Sequence, residues 1–164
     1  MRAFFVLLLG LLASTAQGQE AWTVYRNAAC GYAVEYPAAG FDITETDTGL
    51  TLIEQDAAGQ IDIYCATNAE RRSPAGFEQV LAGAERIREI TYSRNGRSWL
   101  AVSGYYQADQ ARGDDLIFYA KFMFSPDLSQ LSAFEASYPA GERQRFDAIV
   151  ERMEDSLTAP RAAD

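Results

Sequence analysis

The sequence predicts an α+β fold in which an antiparallel sheet of about six to eight strands is sandwiched between two helices. Three observations predict it. Short apolar segments recur with turn residues between them, two longer stretches carry apolar residues at three- and four-residue steps, and one segment, 115–125, is largely apolar on both faces. A strand of that last kind needs cover on both sides, and two amphipathic helices can supply it.

From Thr23 to Tyr36 the chain alternates across Asn27-Ala28-Ala29, which reads as a strand, a turn and a second strand ended by Pro37. Phe41 to Glu45, Leu50 to Gln55 and Gln60 to Ala66 read as three more strands, separated by Asp47-Thr48-Gly49 and Asp56-Ala57-Ala58-Gly59. The first half is expected to be one meander.

Ser73-Pro74 reads as a helix start, with Ser73 as N-cap and Pro74 at the first helical position. The stripe Phe77, Val80, Leu81, Ala84 and Ile87 extends the expected helix to about Arg88. Asn95-Gly96 is a strong two-residue hairpin signal between strands Glu89–Arg94 and Arg97–Tyr106, because both residues tolerate positive φ.

A loop is expected from Gln107 to Asp114. In the strand that follows, Leu116, Phe118, Ala120, Phe122 and Phe124 share one face, while Ile117, Tyr119, Lys121 and Met123 share the other. Leu131 to Tyr138 forms another strand. The last element is a helix from about Glu142 to Leu157, striped by Phe146, Ile149, Val150, Met153 and Leu157.

The N-terminus orders Arg2, an apolar run from Ala3 to Ala13, and small residues at Ala16 and Gly18, which is the pattern of a secretory signal peptide. The expected organisation is a cleaved signal over 1–18, a single α+β domain over 19–158 and a disordered tail over 159–164. The apolar run is too short to serve as a stable membrane anchor. The expected location is periplasmic or extracellular.

The chain has 164 residues, 14 basic against 23 acidic side chains, and a formal net charge of −9. That balance argues against nucleic acid as a partner, since phosphate backbones reward clustered Lys and Arg. The chain contains no histidine. Ser-His-Asp and Cys-His catalysis and the usual zinc ligand sets are therefore excluded. Cys30 and Cys65 are the two cysteines, and in an oxidising compartment they are expected to form a disulfide. Two buried thiols or a redox pair are the rival readings.

Tyr25-x-Asn27, the run Gly31–Pro37, the run Trp99–Tyr105, Tyr138-Pro139 and the run Phe146–Met153 together resemble a family of uncharacterised exported bacterial α/β domains. The layout is similar to the PsbP-like fold of photosystem accessory subunits. The resemblance implies an antiparallel sheet between helices and a non-catalytic accessory role. Metal contacts in such proteins commonly involve histidine, so no metal-binding residue carries over to this chain.

Asp42, Glu45, Asp47, Asp56 and Asp62 gather in the first half but lack a calcium-loop pattern, and read as solvated turn charges. Lys121 lacks the Ser-x-x-Lys spacing of a catalytic dyad, and is expected to reach past the covering layer to solvent. Trp99, Tyr105, Tyr106, Tyr119 and Phe134 are dense enough to line a pocket. Tyr105 and Tyr106 are the candidate ligand-binding residues, because neighbours on a strand point to opposite faces and one of them can reach the surface. No catalytic residue, metal site or cofactor is expected. The sequence leads to an exported non-catalytic binding or accessory domain, whose partner is an envelope protein or a small ligand. The alternatives are a histidine-free hydrolase using carboxylates and a structural cell-envelope protein.

Overall fold

A computed structural model describes residues 21–107 and 115–162. The expected signal segment and most of the 107–114 loop lie outside these residues. The strands are β1 Trp22–Asn27, β2 Tyr32–Pro37, β3 Phe41–Glu45, β4 Gly49–Glu54, β5 Gln60–Thr67, β6 Ile87–Asn95, β7 Trp99–Tyr106, β8 Leu116–Phe124 and β9 Gln130–Pro139. The helices are α1 Pro74–Ala82 and α2 Arg143–Ser156, the latter entered through a 3-10 turn over Ala140–Glu142.

The expected single meander divides. β1 and β2 form a two-stranded sheet of their own, while β3-β4-β5-β9-β8-β7-β6 form an antiparallel seven-stranded sheet. The break falls after Pro37, where Gly40 takes φ +83°, a conformation open to glycine and costly for other residues. The hairpin then uses tertiary partners. Tyr32 and Val34 are buried in one core cluster, and the β2 amides of Ala33 and Glu35 donate to Thr158 Oγ1 at 2.8 Å and Ser156 Oγ at 2.9 Å.

β8 is an interior strand with both faces occupied, as its composition requires. Phe118, Ala120, Phe122 and Phe124 belong to a cluster with Leu100, Val102, Leu131 and Ala133, against which Phe77 and Leu81 of α1 pack. Ile117 belongs to the other cluster, with Ile61, Ile63, Phe134 and Tyr138 and with Phe146, Ile149, Val150 and Met153 of α2. The α2 stripe is buried as its spacing predicts.

α1 is shorter than its apolar stripe suggests. It ends at Gly83, and Ile87 opens β6 instead of closing the helix. Ala84 donates its amide to the Leu81 carbonyl and Ile87 to that of Ala84, so tight turns keep the three-residue step beyond the helix end. Val80, counted in the stripe, is exposed. At the other end Ser73 Oγ accepts from the Gly76 amide at 3.2 Å. Ser73→Ala should cost about 1 kcal/mol of stability, measured by denaturant unfolding.

The Asn95-Gly96 turn also differs. Neither residue has a positive φ, and the Gly96 amide donates to the Trp99 carbonyl at 2.9 Å, which places the reversal at Arg97-Ser98. β6 carries two register irregularities against β7, after Ile87 and after Ile90, which absorb the offset.

The chain after α2 runs as a strap that includes Thr158 and the first described residues of the 159–164 tail. Thr158 and Arg161 donate their amides to the carbonyls of Ala33 and Cys30, each at 2.9 Å, and the Ser132 hydroxyl donates to the Thr158 carbonyl at 2.7 Å. Gly31, at φ +75°, leaves room for the Arg161 side chain, because a Cβ there would stand 2.5 Å from Arg161 Nε.

The β8–β9 turn is organised by Asp127. Its Oδ1 accepts from the hydroxyls of Ser125 and Ser129 at 2.8 Å each and from the Ser129 amide at 3.1 Å. These bonds, those of Ser129 foremost, lower its pKa from 3.8 to about 2. Because the folded value is depressed, the stability this carboxylate contributes is present above about pH 4 and is lost as pH falls through about 2. Asp127→Asn should flatten the fall of stability across that window, measured by urea unfolding at stepped pH.

Candidate functional site

Cys30 and Cys65 are bonded, with Cα atoms 6.5 Å apart. The bridge joins the β1–β2 turn to β5, and so ties the small sheet to the large one.

Alternation places Tyr105 and Tyr106 on opposite faces of β7. Tyr106 stacks on Phe118 with ring centroids 5.0 Å apart, and its hydroxyl donates to the Glu135 carboxylate. Arg86 clamps the same carboxylate through two bonds of 2.8 and 2.9 Å. Burial, and then Glu135, push the Tyr106 pKa up. Tyr106 is thus half-buried and committed to a local network.

Tyr105 lies on the other face and lines a groove of about 630 Å³ between β6–β9 and α2. Tyr92, Tyr119, Tyr138 and Ile117 also line it, with Gly104 in the β7 wall. A Cβ at Gly104 would meet the Glu89 carbonyl at 2.0 Å, so only glycine fits beneath this β6 irregularity. The α2 wall contributes Arg143, Asp147, Val150, Glu151 and Glu154. Tyr92 is 44% exposed.

At one end of the groove Lys121 is only 7% exposed. The expectation that it reaches solvent is corrected: its Nζ donates to Glu154 Oε1 at 2.6 Å and sits 3.9 Å from the centre of the Trp99 ring. The Tyr119 hydroxyl donates to the other Glu154 oxygen. A cation removed from water needs such partners, and α2 supplies the carboxylate.

Burial, followed by the Glu154 carboxylate, raises the Tyr119 pKa, and burial, followed by Asp147, pushes that of Tyr138 up to about 12. Both phenols therefore stay protonated near neutrality; Tyr119 is half-buried at the groove, while Tyr138 is buried beneath it and stacks on Phe146 with ring centroids 4.3 Å apart. The groove thus combines room, neutral ring surfaces and carboxylates on one wall.

Of the aromatic set singled out in the sequence, the structure brings Tyr105 and Tyr119 together in the groove. Trp99 lies beside it over Lys121, Tyr106 is on the opposite face, and Phe134 is core. Tyr92, Tyr138 and the α2 carboxylates were missed. Asp147, Glu151 and Glu154 follow helical steps of four and three, so an acidic stripe beside the apolar one was readable.

A second hollow of about 460 Å³ lies against β4, β5 and β9, where Asp62 and Glu135 face each other across the β5–β9 pair. Both are engaged. Asp62 accepts from Thr51 at 2.8 Å and Gln60 at 2.7 Å, and Glu135 is held by Arg86 and Tyr106. Among the described residues no group of three or more His, Cys, Asp or Glu side chains converges as a metal site.

No known family profile matches the chain, and no curated protein sequence matches it. Solved structures do. The solution structure of cyanobacterial PsbP (CyanoP) from Synechocystis sp. PCC 6803 covers 91% of this chain and 98% of its own, with TM-score 0.56 and 10% identity. The crystal structure of the Ran-binding protein Mog1p from Saccharomyces cerevisiae covers 85% of this chain and 96% of its own, with TM-score 0.57 and 6% identity. A point mutant of the protein Mog1 gives TM-score 0.59 at 6% identity over 87% of this chain and 97% of its own. Identities this low speak to architecture alone. The chain has the PsbP-like fold.

Proposed function

We propose that this protein is an exported, non-catalytic binding or accessory domain that engages a protein partner through the tyrosine-lined groove. The groove carries the reading. It has the volume of a ligand site, ring surfaces that stay neutral, and carboxylates along one wall. In this reading the helices flank the sheet, with α1 covering one face and α2 covering the other only in part, so that the β6–β7 side stays open. A disulfide is compatible with an oxidising compartment. The Ran-binding neighbour favours a protein over a small molecule as the partner.

A photo-crosslinking residue at Tyr92 tests the reading, with the same residue at exposed Val24 of β1 as control. In the native envelope, crosslinks from position 92 to one defined protein, lost on Tyr105→Ala, are expected. No adduct from position 92, or the same adducts from both positions, would refute the groove as the contact surface.

A further inference from the structure

Resting on that reading, we infer that the segment the groove accepts is basic, with an arginine side chain laid on the exposed Tyr92 ring and bonded by the Glu151 carboxylate of α2. Three carboxylates, Asp147, Glu151 and Glu154, stand in the lining against one guanidinium, Arg143. Glu154 is committed to Lys121, and Arg143 lies 3.8 Å from Asp147 across one helical turn. Glu151 has no ion pair among the described residues and is exposed. It is the carboxylate best placed to receive a cation from outside.

The rings of this sheet face already hold cations from the chain itself. The Arg88 guanidinium sits 4.9 Å from the centre of Tyr105, and Lys121 sits 3.9 Å from the centre of Trp99. Both rings lie on the same side of β7 as the groove. A ring face beside a carboxylate suits a guanidinium in particular, because its plane stacks while its N–H groups bond the carboxylate. The net charge of −9 adds attraction at longer range and speeds encounter with a basic partner.

The test uses a short labelled peptide alternating arginine and alanine, and its citrulline counterpart, which keeps the shape and hydrogen-bonding side chain but loses the charge. Fluorescence anisotropy is measured with the parent protein and with Tyr92→Ala, Glu151→Gln and Asp56→Asn. The last removes one charge from an exposed turn far along the chain. The arginine peptide should bind about tenfold or more tightly than the citrulline peptide, and Tyr92→Ala and Glu151→Gln should each weaken it about three- to tenfold. Asp56→Asn should leave it nearly unchanged.

Absence of binding by the arginine peptide would overturn the inference. So would equal weakening by Asp56→Asn and Glu151→Gln, which would mean diffuse attraction. Citrulline binding as tight as arginine, still dependent on Tyr92, would refute the preference for a cation while leaving the groove a docking surface. Failure of the Tyr92 crosslink would remove the underlying reading itself.

Discussion

Replacing Cys30 and Cys65 together by alanine is expected to lower the unfolding free energy by about 3 to 4 kcal/mol, from the entropy of closing a loop of this length. The two cysteines are 35 residues apart, and the bond cross-links the two sheets, which the chain otherwise joins between β2 and β3. Without it, β1 and β2 are held by Tyr32 and Val34 in the core, by the strap at Thr158 and Arg161, and by the Arg152–Glu35 pair at 2.8 Å. Urea unfolding should show an earlier midpoint, and a reductant should reproduce it in the parent protein. A loss below about 1 kcal/mol would mean that packing alone positions the hairpin.

The second large effect concerns Lys121. Glu154→Ala strips a nearly buried ammonium of its carboxylate and leaves it the Trp99 ring and whatever water can reach it. Breaking a buried pair on one side costs about 3 to 5 kcal/mol, and the partial exposure of Glu154 places this case near the lower end. Lys121→Met combined with Glu154→Leu should recover most of that loss, because no unpaired charge remains. Denaturant unfolding of the single and double variants measures both changes. Equal destabilisation by the double and single variants would show that Lys121 is not held by the pair.

How much of this was legible in the sequence depended on the range of the interaction. β8 and α2 declared themselves through apolar residues at two-residue and three- to four-residue steps, and the structure buries the α2 stripe together with Ile117, Phe118, Ala120, Phe122 and Phe124 of β8. The separation of β1–β2 from the large sheet left no such mark, because alternation records which face of a strand is buried and says nothing about its neighbour. The end of α1 was hidden by turns that preserve helical spacing as far as Ile87. Asn95-Gly96 is a strong local signal that lost to the register β6 needs, in keeping with the two irregularities in that strand.

The candidate site was only half readable. The outward turn of one residue in the Tyr105-Tyr106 pair follows from strand geometry, but which one faces the groove depends on where α2 crosses. Tyr92, Tyr119 and Tyr138 come from three different strands, and no local pattern joins them. Lys121 looked like a chain seeking solvent because its partner, Glu154, is 33 residues away.

Export, the Cys30–Cys65 bond and a protein held in the groove, as proposed, are tested most directly by native mass spectrometry of the protein taken from its own envelope fraction without reductant. The expected result is a chain beginning near Gln19, two protons lighter than the reduced form, and accompanied by a protein partner that is lost with Tyr92→Ala. A chain beginning at Met1, carrying two free thiols and no partner, would contradict it.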